Sequence, residues 1–145
     1  DVSVRNEILA LLGSLQRDTG LTYLLISHDI GAVTQIASDV AVMYLGRLVE
    51  VGAAAEVLGQ PLHPYTHALI RAVPTIDHGG QTGTAASPID FTARATTGCA
   101  FYPRCPHATE RCRNEVPLPR PVHRRRVACH RAESLATTDR GQLTA

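Results

Sequence analysis

Four cysteines stand at Cys99-x5-Cys105-x6-Cys112-x16-Cys129, and the chain holds no others. Four thiolates can hold a tetrahedral zinc ion or an iron–sulfur cluster, and four thiols can instead close two disulfides in any of three pairings. Structural zinc ordinarily uses at least one pair of cysteines separated by roughly two to four residues. No such pair occurs here. A second set of polar side chains, Ser27-His28-Asp29, closes the apolar run Leu21-Thr-Tyr-Leu-Leu-Ile26. A third is His63-Pro64-Tyr65-Thr66, where His63 and Tyr65 read as residues that seat a helix. His67, His78, His107, His123 and His130 read as surface or packing residues rather than ligands.

The elements that must carry these groups follow from periodicity. Val4, Ile8, Leu11, Leu12 and Leu15 form one stripe of an amphipathic helix, with Ser3 able to cap its start and Gly20 placed for a left-handed stop. Residues 21 to 26 read as a strand buried on both faces, the habit of parallel sheets covered by helices. Ligands of open α/β sheets bind at the carboxyl ends of strands, which makes His28 a candidate site residue. Gly31 to Ala37 reads as a short helix with Val33, Ile36 and Ala37 facing inward. Val40 to Tyr44 and Leu48 to Val51 flank Leu45-Gly-Arg47 as a β-hairpin. Helices are expected over Ala53 to Leu58 and from His63 to about Val73, with Pro64 in the first turn and Pro74 as the stop. Residues 75 to 98, rich in Gly, Thr, Ala and Ser, read as a connection.

Charge divides the chain unevenly. Residues 1 to 98 carry five Arg against nine acidic residues, whereas residues 99 to 131 carry eight Arg against two. There is no Lys. No run approaches the ~20 apolar residues of a membrane span, and no charged-then-apolar leader opens the sequence. From Cys99 onward apolar residues are too sparse for a core, so a small loop-rich module held by its cysteines is expected. Residues 132 to 145 read as a disordered tail. A strand as apolar as residues 21 to 26 also needs neighbours that one preceding helix does not provide. The sequence is therefore expected to be a carboxy-terminal piece of a larger protein.

These residues resemble the end of an ABC-transporter ATPase subunit. Asp1-Val-Ser-Val resembles the D-loop, Leu24-Leu-Ile-Ser-His-Asp29 the switch-histidine strand, and Met43 to Gly52 the hairpin beyond it. Gln60-Pro-Leu-His-Pro-Tyr-Thr-His-Ala-Leu69 is similar to the His-Pro-Tyr-Thr segment of the dipeptide/oligopeptide (nickel) importer branch. Gly98-Cys-Ala-Phe-Tyr-Pro-Arg-Cys-Pro106, with Cys112 and Cys129, is similar to that branch's cysteine-bearing extension. The implied fold class is α/β: residues 1 to 60 as the end of a P-loop ABC ATPase domain, with incomplete sheet, hairpin and helices, then residues 61 to 131 as the extension with its four-cysteine module. The Walker A loop, Q-loop, signature motif and Walker B carboxylates have no counterpart in these residues. The segment from Ser87-Pro88 to Gly98-Cys99 is longer than the family pattern.

The resemblance implies an ATP-hydrolysing subunit, with Mg²⁺ and ATP held in the complete protein, a second ATPase subunit across the nucleotide, transmembrane permease subunits, and a place on the cytoplasmic face of the membrane. It implies that His28 contacts the γ-phosphate, where an imidazole donor suits a phosphate oxygen, and that Asp1 lies at the dimer interface. Alone, these residues are expected to be inactive. It further implies a [4Fe–4S] cluster on Cys99, Cys105, Cys112 and Cys129, zinc being the alternative; disulfides would need an oxidising compartment. Arg104, Arg111, Arg113 and Arg124 to Arg126 read as partners for the net negative charge of such a cluster. The reading from another class is a stand-alone metal-binding or nucleic-acid-binding module without an ATPase role; nucleic acid is not expected, for no recognition motif accompanies the arginines.

Overall fold

In the computed structural model, residues 2–73 and 97–138 are described. Asp1, Pro74, the expected connection up to residue 96 and the last residues from 139 lie outside them. The sheet begins with the hairpin read from the sequence: β1 (Asp39–Tyr44) and β2 (Arg47–Ala53) pair antiparallel. Leu45 and Gly46, the two residues between the strands, have φ of 46° and 78°. Two left-handed residues make the tight turn that matches the twist of paired strands. Val42 and Tyr44 alternate inward along β1.

Two further strands come from the cysteine-bearing segment. β3 (Arg120–Val122) pairs with β4 (Arg125–Val127), and β4 lies against the outer edge of β2, with Glu50 opposite Val127 and Val51 opposite Arg126. The result is a mixed α/β fold around a four-stranded antiparallel sheet in the order β1-β2-β4-β3. Sparse in apolar residues as it is, the cysteine segment borrows a core from the hairpin. One cluster joins Val42, Tyr44, Val49 and Val57 to Phe101; the other joins Leu62 to Val122, Val127, Cys129 and Ala132.

The helices largely follow expectation. α1 (Val2–Thr19) ends at Gly20, whose φ of 70° is the left-handed stop. The helix already runs at Ser3, so Ser3 is not its cap. α2 (Ile30–Ile36) is capped by Asp29, whose Oδ1 accepts the Ala32 amide at 3.1 Å. α3 (Ala54–Gly59) and α4 (Pro64–Arg71) follow the hairpin, with Pro64 in the first turn of α4. α5 (Glu110–Asn114) lies within the cysteine segment. Residues 132 to 138, read as the start of a disordered tail, instead form α6 (Ala132–Thr138). Ala132 is fully buried in the second cluster, Leu135 packs against it, and Glu133 pairs with Arg120. That guanidinium holds the Glu133 carboxyl down at about 2.

The expected strand of residues 21 to 26 does not form. Leu24 and Ile26 are 90% and 91% exposed, and no described residue pairs with their backbone. A strand covered on both faces is held by ladder partners on its edges, and none of the four described strands pairs with this segment. The stripe of α1 is likewise uncovered: Val4, Ile8, Leu11 and Leu15 are exposed, and Leu9 is the residue buried, while α1 packs on α2 through the Arg5–Asp29 ion pair.

One ion pair ties the sheet together. Glu50 on β2 is fully buried; its Oε1 accepts from the Leu62 amide at 2.9 Å and Arg125 Nη1 at 3.1 Å, and its Oε2 from the His63 amide at 2.9 Å. Arg125 Nη1 also donates to the carbonyls of Glu56 and Gln60 at 2.7 and 2.6 Å. Removing one partner of such a pair strands a charge without water. Arg125→Met is therefore expected to cost roughly 3–5 kcal/mol, and Arg125→Met combined with Glu50→Gln less than the two single changes added. Urea unfolding of the four proteins measures this; a single-variant cost under ~1 kcal/mol would show that the pair is not holding the sheet.

Candidate functional site

The site begins at the start of α4. His63 is the N-cap, and its Nδ1 accepts the Tyr65 amide at 3.1 Å. This satisfies one of the orphan donors that every helix start presents. Since Nδ1 accepts, the ring proton of the neutral imidazole is on Nε2. His63 is 2% exposed, and burial brings its pKa down to about 4, so the ring is neutral at physiological pH. The reading of His63 as a residue that seats a helix is correct. The sequence did not reveal what else it reaches.

The aromatic rings draw two distant segments together. Tyr65 lies 4.6 Å from Tyr44 on β1 and 5.6 Å from Phe101, between centroids, and Phe101 lies 5.3 Å from Tyr44. The His63 ring is 5.9 Å from Phe101. Contacts of this kind favour tilted and edge-on geometries. Phe101 therefore places the first cysteine loop on the cap of α4.

The four cysteines meet on one pocket, together with His63 and Phe101. All four are free thiols; Cys112 and Cys129 are buried, Cys99 and Cys105 half-buried. The Cys99 amide donates to the Cys112 carbonyl at 2.8 Å, and the Arg131 amide to Cys129 Sγ at 3.4 Å. Thr109 Oγ1 is 3.2 Å from Cys112 Sγ. The enclosed void has a volume of about 10 Å³, room for one water molecule. Burial, reinforced by the neighbouring thiols, raises the pKa of Cys99 and Cys105 and pushes Cys129 up to about 11. Four thiolates crowded here would repel one another unless a cation lay between them. Among the described residues, no group of three or more His, Cys, Asp or Glu side chains is arranged to hold a metal ion.

The arginines have other duties. Arg104 donates to the Tyr44 hydroxyl at 2.9 Å, Arg111 pairs with Glu115, and Arg125 with Glu50. Arg131, which the sequence reading passed over, is the arginine among those lining the pocket. His107 and His130 line it too, which the reading of both as surface or packing residues leaves unsaid. His28 stands apart at the head of α2, exposed, with Asp29 beside it fixed by Arg5 and the Ala32 amide. The Ala32 amide is the main reason the Asp29 carboxyl is held below its ordinary pKa. Asp1 lies outside the described residues. The structure thus brings the cysteines and His63 together and does not bring His28 to them.

Residues 49–112 match the family model for the oligopeptide/dipeptide transporter, C-terminal region. That span holds Glu50, the helix cap and three cysteines; Cys129 lies beyond it. By this region the chain is similar to the oligopeptide/dipeptide transporters. More particularly, about nine-tenths of its length is similar to proteins named as dipeptide or peptide transport ATP-binding proteins. It is 45% identical over 140 residues to the di/tripeptide transport ATP-binding protein DppF of Pseudomonas aeruginosa, covering 92% of this chain and 42% of that protein. Against the dipeptide transport ATP-binding protein DppF of Haemophilus influenzae the identity is 45% over 123 residues, 81% of this chain and 36% of the relative. Against the oligopeptide transport ATP-binding protein OppD of Salmonella typhimurium it is 43% over 119 residues, again 81% and 36%. The chain thus spans well under half the length of these relatives. No described helix is long and apolar enough to cross a membrane.

The pocket depends on one glycine. Gly98 has φ of 72°, and a Cβ there would sit 2.3 Å from the Arg113 carbonyl oxygen and 2.5 Å from that of Cys112. Gly98→Ala is expected to cost at least about 2 kcal/mol and to detach Cys99 from Cys112, because both the backbone region and the space exclude a side chain. Gly59→Ala, with open space around it, should be close to neutral. Denaturant unfolding of the two variants checks the contrast; equal stabilities would remove Gly98 from this role.

Proposed function

We propose that the chain serves in an ATP-hydrolysing subunit that drives uptake of dipeptides or oligopeptides, paired with a second ATP-binding subunit beneath transmembrane permease subunits on the cytoplasmic face of the membrane. The observation that carries this reading is the convergence of the hairpin, the His-Pro-Tyr-Thr helix start and the four-cysteine pocket in one packed body. The names of the relatives give it a direction: each is an ATP-binding protein of peptide or dipeptide transport.

In this role His28 is the γ-phosphate contact, its donor supplying a hydrogen bond that strengthens as charge develops on the transferred phosphoryl group. Asp1 sits at the dimer interface and helps position the opposite site. ATP and Mg²⁺ are held by the phosphate loop and carboxylates that complete the subunit. An imidazole acting late in the cycle affects turnover rather than affinity. In the complete subunit, His28→Ala should leave ATP affinity within about threefold of wild type and lower kcat by about tenfold to a thousandfold. ATP binding and turnover measured side by side test it, and weakened binding with unchanged turnover would remove His28 from the reaction.

The cysteines are read as ligands of a [4Fe–4S] cluster. A single zinc ion, with Zn–S near ~2.3 Å, would draw four sulfurs to about 3.8 Å from one another. A [4Fe–4S] core would take the same four thiolates as its ligands. The donor set fits in kind: four thiols, an apolar wall, and pKa values raised by burial and mutual repulsion that a cationic core would relieve. The void of about 10 Å³ has room for one water, so the thiols as they stand do not enclose such a group. When bound, such a group supplies a covalent staple for the segment and a one-electron couple. The chain's own part is to present thiolates from two loops, α5 and the turn after β4. Anaerobic purification should yield a brown protein with about four irons and four acid-labile sulfides per chain, lost on Cys105→Ser or Cys112→Ser. A colourless protein with one zinc per chain would move the site to zinc, and neither metal would remove the cofactor altogether.

A further inference from the structure

From residue 27 onward, the exposed large apolar side chains among the described residues are Met43, Leu45, Leu48, Val116 and Leu118. They are not scattered. Leu48, Val116 and Leu118 line one groove of about 280 Å³, Met43 lies opposite Leu48 across the hairpin, and Leu45 is in its turn. The buried rings of Tyr44 and Phe101 line the groove as well. Single exposed apolar residues need no explanation, whereas a gathered patch around a groove marks a contact surface. Arg47 is the one charged side chain in this lining. It is exposed and has no acidic partner among the described residues. His63, which also borders the groove, is neutral at physiological pH. We propose that this groove docks an amphipathic helix of another protein, which seats large apolar side chains against Leu48 and Leu118 and sets a carboxylate on Arg47.

Size and backbone chemistry select this occupant. Small-molecule sites usually enclose roughly 300–1,000 Å³ and bury most of the ligand. A groove of about 280 Å³ with Leu118 75% exposed at its side suits one or two anchoring side chains instead. An extended peptide would need a free ladder, and the walls offer none. Pro117 and Pro119 have no amide hydrogen, the Val49 carbonyl already accepts the Ala128 amide at 2.8 Å, and β2 is paired on both edges. A helix satisfies its backbone within itself and docks through side chains alone. A second copy of the chain fits less well. Two-fold pairing of the groove on itself would place two Arg47 side chains in one small apolar interface with no acid between them. The proposal is independent of what the thiols hold.

The test uses the full chain and two labelled synthetic helical peptides of about 15 residues, near the shortest length at which an isolated helix persists. Both carry two Leu one turn apart; one has Glu beside them and the other Lys. Binding is followed by fluorescence anisotropy, and urea midpoints confirm that the variants, all at exposed positions, remain folded. The Glu peptide is expected to bind at least about tenfold more tightly than the Lys peptide, and Arg47→Glu to reverse that preference. Leu118→Ser should weaken binding about tenfold, while Leu24→Ser, on the separate apolar surface of residues 4 to 26, should leave it unchanged. Equal binding of the two peptides, no binding of either, or loss on Leu24→Ser in place of Leu118→Ser overturns the proposal. Self-association seen by sedimentation and abolished by Leu118→Ser would give the groove to a second copy and overturn it equally.

Discussion

The carboxylate of Glu50 is the constraint on which the rest of the structure depends. With no exposure to water it must find every partner inside the protein, and it finds them on segments far apart in sequence: the amides of Leu62 and His63, and the guanidinium of Arg125. Stranding such a charge is costly, so arrangements that separate β2, the entry to α4 and β4 are disfavoured together. The three remaining features of the site follow from that fixation. His63 is held at its amide before its side chain acts, Tyr65 is aimed at Tyr44, and β4 is laid on the edge of β2.

The same fixation gives the His-Pro-Tyr-Thr segment its meaning. His63 is buried and Tyr65 half-buried. They form, with Tyr44 and Phe101, a tilted aromatic contact that joins the hairpin to the first cysteine loop. The first cysteine loop is thereby packed directly against the hairpin.

Much of this was legible before any coordinates. The hairpin announced itself through Leu45-Gly46 between alternating apolar residues, and Pro64 marked the first turn of α4. The cysteine spacings made a shared site a reasonable expectation. Three things were hidden. Residues 21 to 26 have the composition of a buried strand, but composition cannot supply the neighbouring strands, and Leu24 and Ile26 end exposed. Glu50 sits in a run of Val and Leu where an isolated acid looks like the solvent face of a strand, and nothing local announces Arg125 as its partner. The short strands β3 and β4 were read as loop, because three-residue strands containing Pro121 or a run of arginines lack any periodic signal. Charge counting also misled: Arg104, Arg111 and Arg125 looked like counter-ions for a metal centre, yet each is engaged elsewhere.

The position of β4 has a consequence for how the molecule avoids its own kind. In the order β1-β2-β4-β3, the long strand β2 is interior, and the exposed margin on that side is the three-residue β3, with Pro121 at its centre and no amide hydrogen to offer there. A short strand interrupted by proline is a poor template for a second chain. Without the cysteine-bearing segment, the margin would be β2 itself, whose Leu48-Val-Glu-Val51 run is apolar apart from Glu50. The segment that gathers the thiols thus also acts as a guard against intermolecular strand pairing.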